Sequence, residues 1–365
     1  MPDIKALLSV INQAFPFGLQ ENYDNAGLIT GNPSDEIQGV LITLDVTEEV
    51  VEEAIAQRCN VIVAHHPVIF KGIKSLTGKN HVERTVIKAI KNNIAIIASH
   101  TNTDNSPYGT NKILADKLEL TEQKVLVPKP SMLKKIVTFV PVTYDHQVKQ
   151  ALFEAGAGVI GNYDNTSFST DGLGSFRGNE NTRPFVGTPG TLHHEPEKRI
   201  ETIFPAYLEH AIVNALLKAH PYEEPAFDIY SLDNKNPYAG NGIVGNLPAE
   251  KNFYDLLETL KTLTETRCIK FTQPVKKEVK RIALCGGTCF FALPFAIAEK
   301  ADLFVTSDVK YHEYFEADNQ ITIADIGHYE MEQFVKEIFL KIIRKNFSNF
   351  AVRLSAVNTN PINYF

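Results

Sequence analysis

The chain is poor in cysteine, has no long block of basic residues, and lacks an uninterrupted apolar run long enough to span a bilayer. Four cysteines in 365 residues do not suggest the disulfide framework of a secreted scaffold, so free thiols and a cytoplasmic protein are expected. The start, Met-Pro-Asp-Ile-Lys-Ala-Leu-Leu, shows no basic segment, continuous apolar stretch or small-residue cleavage site, and no secretory signal is expected. Gly286, Gly287, Thr288 and Pro294 interrupt the most apolar stretch, 283–298, which argues against a spanning helix and a membrane partner. With 36 Lys and Arg against 43 Asp and Glu, the formal charge of -7 leaves no global positive field, so nucleic acid is not an expected partner. There is no GxxxxGK[ST] loop, no GxSxG elbow and no strand-linked GxGxxG, which sets aside P-loop, α/β-hydrolase and Rossmann readings.

The most informative feature present is a pair of histidines closing an apolar run, Val61-Ile62-Val63-Ala64-His65-His66-Pro67. Matching ligand types recur at His100-Thr101-Asn102-Thr103-Asp104, at Asp308 with His312, and at His328 with Glu332. Neutral imidazole and carboxylate suit zinc, manganese or iron, and five such groups can hold two ions that share a bridging carboxylate. A dinuclear metalloprotein with two divalent ions per chain, zinc first and iron or manganese next, is therefore expected.

At 44% hydrophobic content and this length the chain can bury cores for two or three domains. Apolar runs at 39–45, 60–64 and 94–99 alternate with helical patterns near 52–57, 82–91 and 109–118, the grammar of a largely parallel α/β sheet. The pattern returns with strands at 281–285, 301–306 and 321–325 and a helix from about Tyr329. His65, His66, His100, Asp104, Asp308 and His328 then follow the carboxyl ends of strands, where open α/β sheets place ligands. Between these stretches, Phe139-Val140-Pro141 followed by a helix is echoed by Ile203-Phe204-Pro205 followed by a helix. The predicted architecture is α/β: an N-terminal lobe 1–127 and a C-terminal lobe 249–365 form one discontinuous metal-binding domain. An α+β ferredoxin-like domain is inserted at 128–248, with 172–190 as a polar excursion.

Each candidate has a plainer reading. An isolated His pair is more often one packed ring and one loop ring, Asp104 sits in a turn-rich stretch, and Glu332 could be a solvated helix residue. Four residues separate His328 from Glu332, one helical face, whereas Glu330 is two away and points elsewhere. His100, with Asp308 and His312 beside it, is a candidate for orienting or acid–base work near the metals. Cys285 and Cys289 lack two further ligands for a structural zinc and read as buried thiols. The turn at Asp24-Asn25 reads equally as a plain loop or as a stretch that lends Asp24 and Asn25 to the cleft, whereas His193-His194 and the run His220-Pro-Tyr-Glu-Glu-Pro225 could be ligands but show no partners and read sooner as turn or interface.

Taken together, Glu21-Asn-Tyr-Asp-Asn-Ala-Gly-Leu28, Ala64-His-His-Pro67, Ser99-His-Thr-Asn-Thr-Asp104, Thr306-Ser-Asp-Val-Lys-Tyr-His312 and Gly327-His-Tyr-Glu-Met-Glu332 resemble the NGG-interacting-factor-three-like family. Its bacterial members are often called GTP cyclohydrolase I type 2 homologues. The resemblance implies a dinuclear site on His65, His66, Asp104, His328 and Glu332, with Glu332 as the bridging carboxylate. It also implies a toroidal homohexamer whose sites face an inner cavity, and an insert similar to trimeric ferredoxin-like signalling proteins. Gly286-Gly287-Thr288-Cys289 and Ser307 depart from the family's usual glycines. The functional expectation is a metal-dependent hydrolase acting on a small molecule or nucleotide; the alternative is a non-catalytic metal-handling or regulatory hexamer.

Overall fold

The computed structural model describes residues 2–365, and the chain divides into two compact units, Met1–Pro128 with Pro237–Phe365, and Lys129–Asn236. The larger unit is built on two mixed sheets flanked by helices. The first sheet runs Gly27–Thr30, Ala95–Ala98, Val61–Ala64, Gly39–Thr43, Ala351–Leu354, the last four strands parallel and Gly27–Thr30 antiparallel at the edge. Val61–Ala64 and Ala95–Ala98 are buried along their whole length. That is why they read as continuous apolar runs and not as alternation. The helices between them carry their own start signals: the Thr47 side chain accepts from the Val50 N–H and Asn80 from the Glu83 N–H, and acidic residues fill both first turns.

The second sheet runs Lys270–Phe271, Thr322–Asp325, Leu303–Thr306, Glu278–Leu284, Gly240–Asn252, Thr121–Pro128, with a parallel core of three strands. Gly240–Asn252 pairs antiparallel on both sides, and Gly240 lies opposite Pro128. The chain therefore leaves and re-enters the larger unit on neighbouring strands. Residues 240–248, attached to the insert by sequence, are held here by two ladders of backbone hydrogen bonds.

After Glu332 the chain does not stay with the second sheet. The helix Val335–Asn346 buries Val335, Phe339 and Ile343 in the core of the first sheet, beside Ile4, Leu7 and Ile11 of the helix Ile4–Ala14, and Ala351–Leu354 then extends that sheet. Phe339 and Phe15 meet edge to face at 6.0 Å.

The smaller unit has the order strand, helix, strand, strand, helix, strand, folded as one antiparallel sheet Phe168–Phe176, His193–Pro205, Leu133–Pro141, Phe227–Leu232. Both Pro141 and Pro205 end a strand and lead through a single 3-10 turn into a helix, the internal echo visible in the sequence. Helices Asp145–Glu154 and Glu209–Ala219 cover one face through Ile136, Val148, Leu152, Phe204 and Ile212. One expectation is corrected here: 172–176, read as part of a polar excursion, completes the strand Phe168–Phe176. An edge strand with one open face needs backbone pairing more than apolar side chains, so its sequence carries little hydrophobic signal. Among the described residues no helix is long and apolar enough to cross a membrane.

Because Phe339 is 1% exposed and ties the returning helix to the first sheet, Phe339→Ala is expected to cost about 3–5 kcal/mol, measured as a lowered urea midpoint. A loss under about 1 kcal/mol would show that this helix is not an integral part of the core.

Candidate metal centre

Four strand ends of the larger unit supply the site. Val61–Ala64 runs straight into His65 and His66, whose backbone N–H groups both donate to the Leu44 carbonyl, at 3.2 and 3.0 Å. Ala95–Ala98 leads into His100 and the short helix Thr101–Asp104; Thr322–Asp325 leads into the helix His328–Glu332; and Leu303–Thr306 leads to Asp308. The first two belong to one sheet and the last two to the other.

These ends converge on the Glu332 carboxylate, which is 2% exposed. Its Oε2 lies 2.9 Å from His66 Nε2, 3.0 Å from His328 Nε2 and 3.8 Å from His65 Nε2. His65 Nε2 in turn lies 3.5 Å from Asp104 Oδ1. Three overlapping groups of donor atoms, each within 4.8 Å, result: His65, Asp104 and Glu332; His66, His328 and Glu332; His65, His66 and His100. His65 Nε2 and Asp104 Oδ1 are both buried with no hydrogen-bond partner. Orphaned buried atoms of this kind are costly, and a cation between them would satisfy both. The donor set therefore fits a divalent metal.

The far side of each ring is held as well. Asp45 Oδ1 accepts from His66 Nδ1 at 2.7 Å, Asp308 Oδ2 from His328 Nδ1 at 2.7 Å, Asp24 Oδ1 from His100 Nδ1 at 2.7 Å, and the Ser99 carbonyl from His65 Nδ1 at 2.9 Å. With Nδ1 donating, Nε2 is the nitrogen left to bind, the tautomer a metal ligand needs. Asp45 was not singled out in the sequence, although it follows the apolar run 39–44 as His65 follows 61–64.

The charges of these groups act strongly on one another. Burial holds His65 down at about 3, against the pull of Glu332. Burial also opposes charge on His66 and His328, but the carboxylates of Asp45, Asp308 and Glu332 outweigh it and push them up to about 10 and about 11. Burial, reinforced by the Glu332 charge, lifts Asp104 to about 7. Glu332 itself is held well below the ordinary carboxylate range: burial works against its charge, and His328 and His66 overcome that. Asp24 is lowered to about 2 because its bonds to His100 and Thr101 outweigh its desolvation.

A cavity of about 750 Å³ opens over the cluster, with Tyr23, Phe70 and Phe291 on its walls beside His66, His100 and Glu332. His312 is not among its lining residues; its exposed ring packs on Tyr311 and Phe315. Asp308 is left-handed at φ 57° and precedes a 3-10 segment, so Asp308 and His312, four residues apart, do not share an α-helical face. Glu330 points away and accepts from the Asn360 amide. Cys285 and Cys289, expected as free thiols, are joined in a disulfide across the Gly286-Gly287-Thr288 turn. Their Cα atoms lie 5.7 Å apart, within reach of a bridge. Gly287 in that turn has φ +73°, and a Cβ there would stand 2.8 Å from Glu332 Oε1. His193 and His220 lie in the smaller unit, the first on Glu195 and the second on the Phe139 carbonyl.

A family model described as Duf34/NIF3 (NGG1p interacting factor 3) matches residues 2–361. The chain is 35% identical over 364 residues to a Bacillus subtilis (strain 168) protein named GTP cyclohydrolase 1 type 2 homolog, covering 98% of this chain and 97% of that protein. A Staphylococcus epidermidis protein of the same name is 33% identical over 365 residues, with 99% of each chain covered. Among solved structures, a Bacillus cereus protein related to NIF3 is similar at 36% identity and a TM-score of 0.84, covering 100% of this chain and 99% of that one. A Staphylococcus aureus protein is similar at 29% identity and a TM-score of 0.77 with the same coverage.

Charged His66 and His328 stabilise the metal-free fold fully below pH 6.5, their ordinary value, and this contribution is lost as pH rises through about 10 and about 11. Metal binding needs both rings neutral, so the increase in Tm on adding zinc is expected to grow from about pH 6 to about pH 9. Thermal melts of EDTA-treated and zinc-loaded protein measure this, and an increment that shrinks with rising pH would contradict ligation by these imidazoles. Asp45→Asn is expected to weaken zinc affinity by about 10–100-fold, read by competition with a chelating dye, and to lower the Tm of the metal-free protein as well, because the Asp45 carboxylate helps hold the charged His66 ring.

Proposed function

The chain belongs to the Duf34/NIF3 family, and we propose that it holds two divalent cations on His65, His66, Asp104, His328 and Glu332 and uses them for hydrolysis. The observation that carries this reading is the Glu332 carboxylate, set within 3.8 Å of three imidazole nitrogens from two different sheets. With Asp104, the five groups form two overlapping donor sets that share Glu332, the arrangement expected of a bridging ligand. Zinc suits this mixture of imidazole and carboxylate, and iron or manganese follow. When bound, such ions lower the pKa of water and polarise an electrophilic carbon or phosphorus.

The chain's own residues supply the rest. Asp45 and Asp308 fix the rings of His66 and His328, acting on the metals through them. His100, anchored by Asp24, is the proton acceptor beside the cluster. The proton step falls to His100 and not to His312, which does not line the cavity. Tyr23, Phe70 and Phe291 offer apolar walls to a flat substrate. Hydrolytic opening of a guanine ring, the reaction suggested by the relatives' name, is compatible with this machinery.

We read the two sheets of the larger unit as the lobes of one discontinuous domain and Lys129–Asn236 as an inserted ferredoxin-like domain, on its βαββαβ order. A homohexamer is what the family resemblance implies, and a cytoplasmic location rests on the low cysteine count alone. A non-catalytic metal-handling role is the second reading, favoured by the separate cavity in the smaller unit.

Elemental analysis is expected to find about two metal ions per chain, with clear loss in His65→Ala and Glu332→Ala. Turnover across a panel of nucleotides and phosphoesters is expected to fall by at least about 100-fold in both variants. Turnover that survives in both would place the chemistry elsewhere, and two bound ions without turnover of any substrate would favour the non-catalytic reading.

A further inference from the structure

A second cavity, of about 720 Å³, lies wholly among residues of the smaller unit and shares none of its lining with the metal centre. Its walls include Phe139, Phe176, Phe185 and Tyr222. Phe176 and Phe185 each meet the Tyr222 ring, with centroids 5.8 and 6.3 Å apart. Among these rings sits a carboxylate, Glu197, only 7% exposed, on the strand His193–Pro205.

Glu197 is held but not neutralised. Its Oε1 accepts from the Tyr222 hydroxyl at 2.7 Å. Its Oε2 receives no hydrogen bond from any described residue, and no described Lys or Arg pairs with it; Arg199, the lining cation two positions along the same strand, turns to Glu201. The carboxylate is seated in a notch that the facing strand leaves open at Gly174, where a Cβ would stand 2.1 Å from Oε2. That leaves Oε2 as an acceptor open to a donor that enters the cavity. Asp171, Glu223 and Glu224 also line the cavity against Arg177 and Arg199, so its lining favours a cation over an anion.

We propose that this cavity binds a small organic cation, an ammonium or amidinium carried on a flat apolar body, whose N–H groups donate to Glu197 Oε2 while the body lies against Phe139, Phe176, Phe185 and Tyr222. Aromatic faces attract such cations, and apolar walls with a few convergent polar groups are the usual composition of a ligand pocket. The proposal does not depend on hydrolysis at the metal centre. It also disfavours a nucleotide phosphate as the occupant here.

Isothermal titration of the full chain with benzamidine and with 2-phenylethylamine, against benzoate as the matched anion, tests it. Saturable binding of a cation and none of benzoate is expected. Affinity should fall by about tenfold or more in Glu197→Gln, which keeps an acceptor for Tyr222 but removes the charge. Gly174→Ala, which pushes the carboxylate from its notch, should lose binding too while circular dichroism reports an intact fold. The proposal is overturned by no saturable binding of either cation up to about 10 mM, by equal binding of benzoate, or by an affinity that follows zinc loading instead of Glu197. A change of molecular mass in Glu197→Gln by light scattering, with ligand affinity untouched, would assign the cavity to a contact between copies of the chain and likewise overturn it.

Discussion

A buried carboxylate that cannot stand alone organises the larger unit. Glu332 is almost fully shielded from water, and an isolated charge there would be prohibitively unfavourable. It persists because His66, 266 residues away in the chain, and His328, one helical turn before it, both bring a ring nitrogen to the same oxygen. Asp104 brings a second carboxylate into the same enclosure, and its Oδ1 faces the unpartnered Nε2 of His65. A protein seeking only stability would replace such a cluster with apolar side chains. The donor atoms of this cluster are a set that a divalent cation would satisfy.

The rest of the unit secures the approach of these ligands. The helix that follows Glu332 is packed into the core of the first sheet, and the strand after it pairs in parallel with Gly39–Thr43. The pair His328 and Glu332 is thus held by the second sheet on its N-terminal side and by the first on its C-terminal side. The strands that bracket the smaller unit, Thr121–Pro128 and Gly240–Asn252, are hydrogen-bonded neighbours. Inserting a domain between them leaves the sheet that supports Asp308 and His328 continuous.

What could be read from the sequence follows from the range of each signal. Buried parallel strands announce themselves as apolar runs, and candidate site residues placed at their ends are legible as the polar residues that break those runs, as with His65, His100 and His328. Asp45 obeys the same rule but sits beside no second ligand type, so nothing local separates it from a turn residue. Pairings across the fold are harder still: that Asp24 would hold His100 depends on a contact between residues 76 apart. The Cys285–Cys289 bridge depends on the turn between them, which composition does not report. His312 lies only four residues after Asp308, but the segment begins left-handed and continues as a 3-10 helix, so that separation does not put the two on one face.

The two cavities share a logic and differ in one group. Each is centred on a buried carboxylate that no described lysine or arginine neutralises, so each selects for positive charge. At Glu332 the partners are imidazoles, which can give up a proton and become ligands, and the site suits a metal ion. At Glu197 the partner is the Tyr222 hydroxyl, whose pKa burial and the neighbouring Glu197 raise further above its ordinary value. That hydroxyl keeps its proton at any physiological pH and remains a donor, which leaves Glu197 with one satisfied oxygen and one open to a ligand's N–H. The chemistry of the neighbouring group, more than the carboxylate itself, decides which kind of cation each cavity can take.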